Sequence, residues 1–203
     1  MTSKEILVVN PHLDDGFLFA SGYMKRMKDQ GANITNVLFT TKSSIDGIDD
    51  KQYEEEFNKA SNMFSSDNWV FDMEDKLLNQ DRQRILDILV EFSDNEYDMV
   101  ICPGSKDLHQ DHRTVFEECF RCFKRLTTII GYNAPWNCRE MPMDMIVEID
   151  WEHKESVLKQ FESQKTKKYM ELEYNKSIAI ATGTLIDVQF AESFEIIRWI
   201  VKD

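Results

Sequence analysis

The sequence predicts a three-layer α/β fold in which a mostly parallel sheet lies between two layers of helices. Three observations carry this expectation. Short apolar runs rich in β-branched residues alternate with segments whose apolar residues recur at helical spacing. The alternation begins at Glu5 and is kept as far as Gly131. Three of the four histidines follow directly on the ends of two such runs. In a parallel sheet the ligand crevice lies outside the carboxyl ends of the strands. A Rossmann-like arrangement with its site at that edge is the expected architecture.

Taken in order, Glu5 to Asn10 (E-I-L-V-V-N) is short and continuously apolar, as a buried first strand should be. Phe17, Leu18, Tyr23, Met24 and Met27 mark an amphipathic helix that Gly31 ends. Ile34 to Thr41 reads as a second strand, and Lys42 to Asp50 as a loop of Ser, Gly and Asp. Tyr53, Phe57, Ala60 and Phe64 define a second helix, and Asn68 to Phe71 a short third strand. Ile85, Leu86, Ile88, Leu89 and Phe92 lie on a third helix. Asp98 to Cys102 is a fourth strand closed by Pro103-Gly104, His112 to Phe123 is helical, and Thr127 to Gly131 is a fifth strand. Right-handed crossovers place the carboxyl ends of strands one, two and four on one edge. The last third is less regular. Met143 to Ile149 alternates as a strand that could be antiparallel, and Trp151 to Phe161 is helical with Asp150 as N-cap. Tyr169 to Ala181 suits a helix ended by Gly183, and Phe194 to Val201 suits strand or helix equally.

The totals bound the function. A chain of 203 residues, 42% apolar and 30% charged, is expected to form one globular domain over residues 1–203. Its net charge of −13 argues against a nucleic-acid partner and leaves a small-molecule substrate. The apolar run after Met-Thr-Ser-Lys-Glu is too short for a signal segment, and nothing approaches the ~20 apolar residues of a membrane helix. A cytoplasmic location is therefore expected, and a monomer or a homo-oligomer is equally compatible. The four cysteines suggest reduced thiols. Cys119-x-x-Cys122 sits in the apolar stripe of Val115, Phe116, Phe120 and Phe123, so core packing outweighs a redox or zinc pair. Only seven glycines and no Gly-rich phosphate loop argue against a nucleotide-driven dehydrogenase or a P-loop enzyme.

Two clusters carry the chemistry: Pro11-His12-Leu13-Asp14-Asp15 after the first strand, and Asp107-Leu108-His109-Gln110-Asp111-His112 after the fourth. A catalytic divalent ion needs about three His, Asp or Glu ligands and one open position. His12 and Asp15, three apart at a strand-to-helix turn, can converge on one point. Asp14 diverges from them and can face the open position as a base. His109 and His112 are also three apart. If both ligate, the centre is closed and structural; if one does, the other is free to polarise a carbonyl or donate a proton. Asp107 and Asp111 are candidates for orienting the histidines. Against this stands the reading of Asp14 and Asp15 as plain helix caps. The chance of two such clusters at strand ends is small.

Pro11-His12-x-Asp14-Asp15 with His109-Gln110-Asp111-His112-Arg113 resembles the LmbE/PIG-L family of zinc-dependent de-N-acetylases, which pairs an A/P-H-P-D-D-E motif with a later H-x-D-H. The likeness extends to Ile130-Gly131-Tyr132, Pro135-Trp136-Asn137, Ser163-Gln164 and Ala191-Glu192-Ser193-Phe194. The resemblance implies His12, Asp15 and His112 as ligands of Zn2+, or of another divalent ion such as Fe2+. It implies Asp14 as general base and His109 as oxyanion stabiliser or acid, tuned by Asp111. The implied reaction is hydrolysis of an N-acetyl or other N-acyl group on an amino-sugar derivative, water on the ion attacking the amide carbonyl.

Leu13 and Gly16 stand where the family motif has Pro and Glu, and neither is a ligand. Gly16 is expected to weaken an outer contact or to open space. The family's Arg in the loop after the second strand is replaced by nothing stronger than Lys42 and Lys51. Lys42, Asn133 and Trp136, with Asn137, are the candidate substrate contacts: an aromatic face to stack on and polar groups for hydroxyls. The basic run Gln164 to Lys168 could meet a diphosphate but reads first as a solvated loop, as does the acidic run Asp46 to Glu56; His153 reads as a surface residue. Two rival functions share these residues. One is a non-haem Fe(II) oxygenase with a two-His-one-carboxylate triad, which leaves Asp14 idle. The other is a sugar-binding protein that kept the centre and lost catalysis.

Overall fold

The computed structural model describes residues 3–42, 49–124 and 127–201. Alternation along the first strand, β1 (Glu5–Asn10), already sets the three layers. Ile6 and Val8 point to one face and Leu7 and Val9 to the other, as the two-residue period of a strand requires, and all four are buried. Such a strand is stable only with helices on both sides. On the Ile6 side lie α1 (Asp15–Asp29) and α2 (Asp50–Asn62), with Phe17, Met24, Phe57 and Phe64 in one core. On the Leu7 side lie α3 (Arg82–Ser93) and α4 (Gln110–Cys122), with Ile85, Leu89, Val115 and Cys119 in a second core.

The remaining strands are β2 (Asn33–Thr40), β3 (Asp67–Met73), β4 (Met99–Pro103), β5 (Thr128–Tyr132), β6 (Met145–Glu148) and β7 (Ala191–Arg198). They join β1 in one sheet of order β3-β2-β1-β4-β5-β7-β6. The first five in sequence pair in parallel, and β7 pairs antiparallel with both β5 and β6. The chain therefore winds outward from β1 through β2 to β3, then returns to β4 on the other side of β1. That reversal is a topological switch point, where a crevice opens between diverging loops.

The segment left undecided between strand and helix is the strand β7. Its Phe194 is fully buried while Glu192 accepts the backbone N–H groups of Gly22 and Tyr23 and the ammonium of buried Lys154. α5 (Trp151–Leu158) begins with Asp150 accepting from the His153 N–H, the cap read from sequence. The last helix, α6 (Leu172–Thr184), starts later than expected and runs through Gly183. Gly31 does end α1, at φ +89. Most of the loop after β2 (residues 43–48) and the start of the acidic run at Asp46 lie outside the described residues.

Candidate metal centre

The loop after β1 and the N-terminus of α4 meet at the switch point. Both His12 and His112 find fixed partners there. His12 Nε2 lies 3.1 Å from Asp111 Oδ2 and 3.2 Å from Asp75 Oδ1, so its ring hydrogen belongs on Nε2. His112 Nδ1 lies 2.7 Å from Asp107 Oδ2, so its hydrogen belongs on Nδ1. In the neutral form that can bind an ion, each ring is thereby left with one bare lone pair, on His12 Nδ1 and on His112 Nε2.

Those two atoms are 3.3 Å apart. Asp15 Oδ2 completes a triangle with them, 3.1 Å from His12 Nδ1 and 3.3 Å from His112 Nε2. Ligands of a tetrahedral ion at about 2.0–2.1 Å stand about 3.3 Å from one another. The residues thus fit a divalent ion in both spacing and tautomer. A second grouping, His12 with His109 and Asp111, also falls within ligand range. It fits less well. Asp111 Oδ2 already takes the Lys76 N–H at 2.8 Å, and His109 Nδ1 takes the Asp111 N–H.

The electrostatics point the same way. Burial alone would lower the pKa of His12, but Asp15, Asp111 and Asp75 outweigh it and hold the imidazole well above its usual range. The same contest at His112, with Asp15 and Asp107 as the opposing charges, leaves it at about 9. Burial would raise Asp15, yet the two histidines hold it well below the usual carboxylate range. A pocket that binds protons this tightly is a pocket short of positive charge.

Asp14 stands apart from this triangle. It is buried, makes no side-chain cap to α1, and its Oδ2 has no hydrogen-bond partner. Burial first, and then the Asp15 charge, push its pKa up. His109 caps α4 by accepting the Asp111 N–H on Nδ1 at 3.3 Å. Burial and then the neighbouring His112 and His12 lower its pKa. A neutral ring with Nδ1 accepting carries its hydrogen on Nε2.

A cavity of about 360 Å³ opens over these groups. Lys42 reaches its rim, in contact with Glu74, and Trp136 stands in its wall, stacked on Tyr169 at 4.5 Å. Asn133 does not reach it. That side chain is buried, donates to the Pro142 carbonyl and packs against Gly104, while Asn137 lines the cavity in its place. Asp111, expected beside His109, turns its carboxylate to His12 and to the backbone of Lys76 and Leu78. The reason is geometric: it is the second residue of α4, in the first turn, which faces the segment after β3. Lys76 is held there at φ 64, a left-handed conformation costly for a side-chain-bearing residue.

Other expectations also change. Gly16 opens no space, because a Cβ there would lie 2.3 Å from Asn10 Oδ1, which accepts the Gly16 N–H. Glu56 is not solvated; it is buried and holds both the N–H and the hydroxyl of Ser163. His153 is half-buried against Phe64 with Nε2 enclosed and unpartnered. Cys119 is buried and its thiol is pushed up by that burial, as core packing requires. Asp75, Tyr53 and Tyr169 were missed. For Asp75 a signal existed, since it follows the end of β3 at the same sheet edge; nothing in the sequence points to the tyrosines.

Fold and centre together define an α/β protein whose switch-point crevice gathers two histidines and a carboxylate at ion-binding distance. The chain belongs to the PIG-L family: the family model described as GlcNAc-PI de-N-acetylase matches residues 7–123, more than half of it. No curated protein matches the sequence. Among solved structures it is similar to the conserved protein TT1542 from Thermus thermophilus, at 20% identity over 98% of this chain and 96% of that one, TM-score 0.82. It is also similar to the N,N'-diacetylchitobiose deacetylase of Pyrococcus horikoshii, at 17% identity over 96% and 84%, TM-score 0.77. GalB, a 4-carboxy-2-hydroxymuconate hydratase from Pseudomonas putida, is similar at 16% identity over 98% of each chain, TM-score 0.79. At these identities the likeness is one of fold. A hydratase and a deacetylase sharing it shows that the site, and not the fold, must decide the reaction.

Proposed function

We propose that this protein is a metal-dependent de-N-acetylase of an amino sugar or sugar conjugate. The observation that carries the reading is the division of labour at the centre. Three side chains converge at ligand spacing, while Asp14 and His109 beside them are left with free proton-handling atoms. Family membership supports it.

His12, Asp15 and His112 would hold the ion, Zn2+ or another divalent metal such as Fe2+. When bound, such an ion supplies Lewis acidity, lowering the pKa of water and polarising an amide carbonyl. Asp14, its basicity raised by burial, takes the proton from the attacking water. The Nε2–H of neutral His109 donates to the carbonyl oxygen as that atom becomes negative. Asp14 then passes its proton to the departing nitrogen, and acetate and a free amine result. Asp107 and Asp111 act through the histidines they hold. Trp136 and Asn137 offer the sugar a stacking face and an amide. An oxygenase would leave the buried Asp14, whose Oδ2 has no hydrogen-bond partner, without a task.

The test is metal content measured alongside acetate release from N-acetyl sugars. Asp14→Ala should keep its metal and lose about 10²–10⁴-fold in kcat, the usual scale for a general base. His109→Ala should also keep metal and turn over slowly. Loss of metal in Asp14→Ala would move that residue into the coordination sphere and overturn the assignment.

A further inference from the structure

The cavity rim carries three lysines in a chain whose net charge is −13. Two of them are compensated: Lys42 by Glu74, and Lys76 by Asp75 at 3.8 Å. Lys167 differs. Among the described residues it enters no ion pair, it is half-buried, and its ammonium lies 5.5 Å from the centre of the Tyr169 ring. Tyr169 is in turn stacked on Trp136 at an interplanar angle of 16°. A cation is thus placed beside the aromatic wall on which a sugar ring would stack.

The backbone under Lys167 is fixed. Its N–H donates to the Gln164 carbonyl at 2.9 Å, and its own carbonyl accepts the Met170 N–H at 2.9 Å. Ser163 and Gln164 are buried, Ser163 being bound to the Glu56 carboxylate, and Met170 is packed in the core. The 3₁₀ turns Glu162–Gln164 and Lys168–Met170 therefore brace the residue between two anchors. With the backbone already braced, a ligand that binds the ammonium has only the lysine side chain left to order, not the segment that carries it.

The carboxylates beneath it are committed. Asp15, Asp75, Asp107 and Asp111 are bonded to the histidines, while Asp14, which lines the same cavity, interacts with the Lys167 charge only at longer range, outside any ion pair among the described residues. We infer that Lys167 binds an anionic substituent, phosphate or carboxylate, on the sugar substrate, with the ring stacked along Trp136. This selects charged sugar conjugates over neutral ones. The inference rests on the de-N-acetylase reading for its sugar, but not for its anion.

The experiment compares N-acetylglucosamine 1-phosphate, its carboxymethyl glycoside and its neutral methyl glycoside, by acetate release and by calorimetric binding to the metal-loaded protein. At least one anionic sugar should be preferred about tenfold, the scale of one charge-assisted hydrogen bond; which one identifies the anion. In Lys167→Gln the ratio of anionic to neutral sugar should fall to within about threefold, and Lys167→Arg should restore most of it. Equal acetate release from all three sugars overturns the inference and leaves the de-N-acetylase reading standing. Binding that prefers the anion and depends on Lys167, without acetate release from any sugar, does the reverse. If Lys167→Gln slows all three sugars alike and moves the pH profile, Lys167 acts through Asp14 and the inference fails.

Discussion

At the scale of single residues, the two histidine-bearing clusters were legible because spacing and residue type alone restrict what can converge. What could not be read was which carboxylate serves which ring. Asp111 sits two residues after His109, yet its carboxylate goes to His12, ninety-nine positions away. A sequence motif records neighbours along the chain; the strand order that sets β1 beside β4 makes neighbours across it. Gly16 makes the same point in reverse. It looks like a lost side chain, but Asn10 fills its space from the strand before. The partner of His112 is the most exposed to test. Asp107 accepts at 2.7 Å from Nδ1 and also takes the His109 N–H at 2.8 Å. Asp107→Ala removes the group that fixes the tautomer of His112, so metal affinity should fall about 10–100-fold. Titration with a chelator of known affinity measures this, and unchanged affinity would show that the ring is oriented without it.

At the scale of elements, the first five strands and their helices were legible because buried parallel strands read as apolar runs and the helices between them as stripes. The region after β5 was not, because a strand added antiparallel at the edge of the sheet has mixed surroundings: in β7, Ala191 and Phe194 are buried while Ile196 and Ile197 are half-covered. The run Gln164 to Lys168, expected as a solvated loop, is only partly so. Lys165 and Lys168 do face water, but Lys167 is half-buried at the cavity, and Ser163, Gln164 and Met170 around them are buried. Glu56 of α2 is the link. It accepts from Ser163 N, Ser163 Oγ and Gln52 Nε2, so it ties the cavity wall to the helix layer beneath. Glu56→Ala strands the buried Ser163 donors and should cost about 1–3 kcal/mol in denaturant unfolding. It should also raise KM for the sugar while leaving metal content intact. A stable variant with unchanged KM would mean that the wall is held by its apolar packing alone.

At the scale of the whole molecule, the sheet and both helix layers converge on a small volume holding Asp14, Asp15, Asp75, Asp107 and Asp111. Without an ion, protons on His12 and His112 are what balance these charges. His112 rises from an ordinary 6.5 to about 9, and His12 rises in the same direction, because the facing aspartates outweigh burial. The folded state therefore holds these protons more tightly than the unfolded chain. Their contribution to stability is full below about pH 6.5; that of His112 is lost as pH rises through about 9, and that of His12 as pH rises through its own raised value. Asp15 is lowered, so its contribution is present above its unfolded value of 3.8 and is lost as pH falls through its depressed folded value. The ion-free protein should accordingly be most stable in mildly acidic solution and weaken toward pH 9. Ligation requires both imidazoles to be deprotonated, so metal binding releases protons and tightens over that same interval. Since a bound ion stabilises the folded state in proportion to RT ln(1 + [L]/Kd), the gap in Tm between metal-loaded and chelator-treated protein should widen from pH 6 to about pH 9. Thermal melts across that range, run at fixed free metal, measure the gap directly. A gap that stays level would mean that the ion is held by groups other than these two histidines.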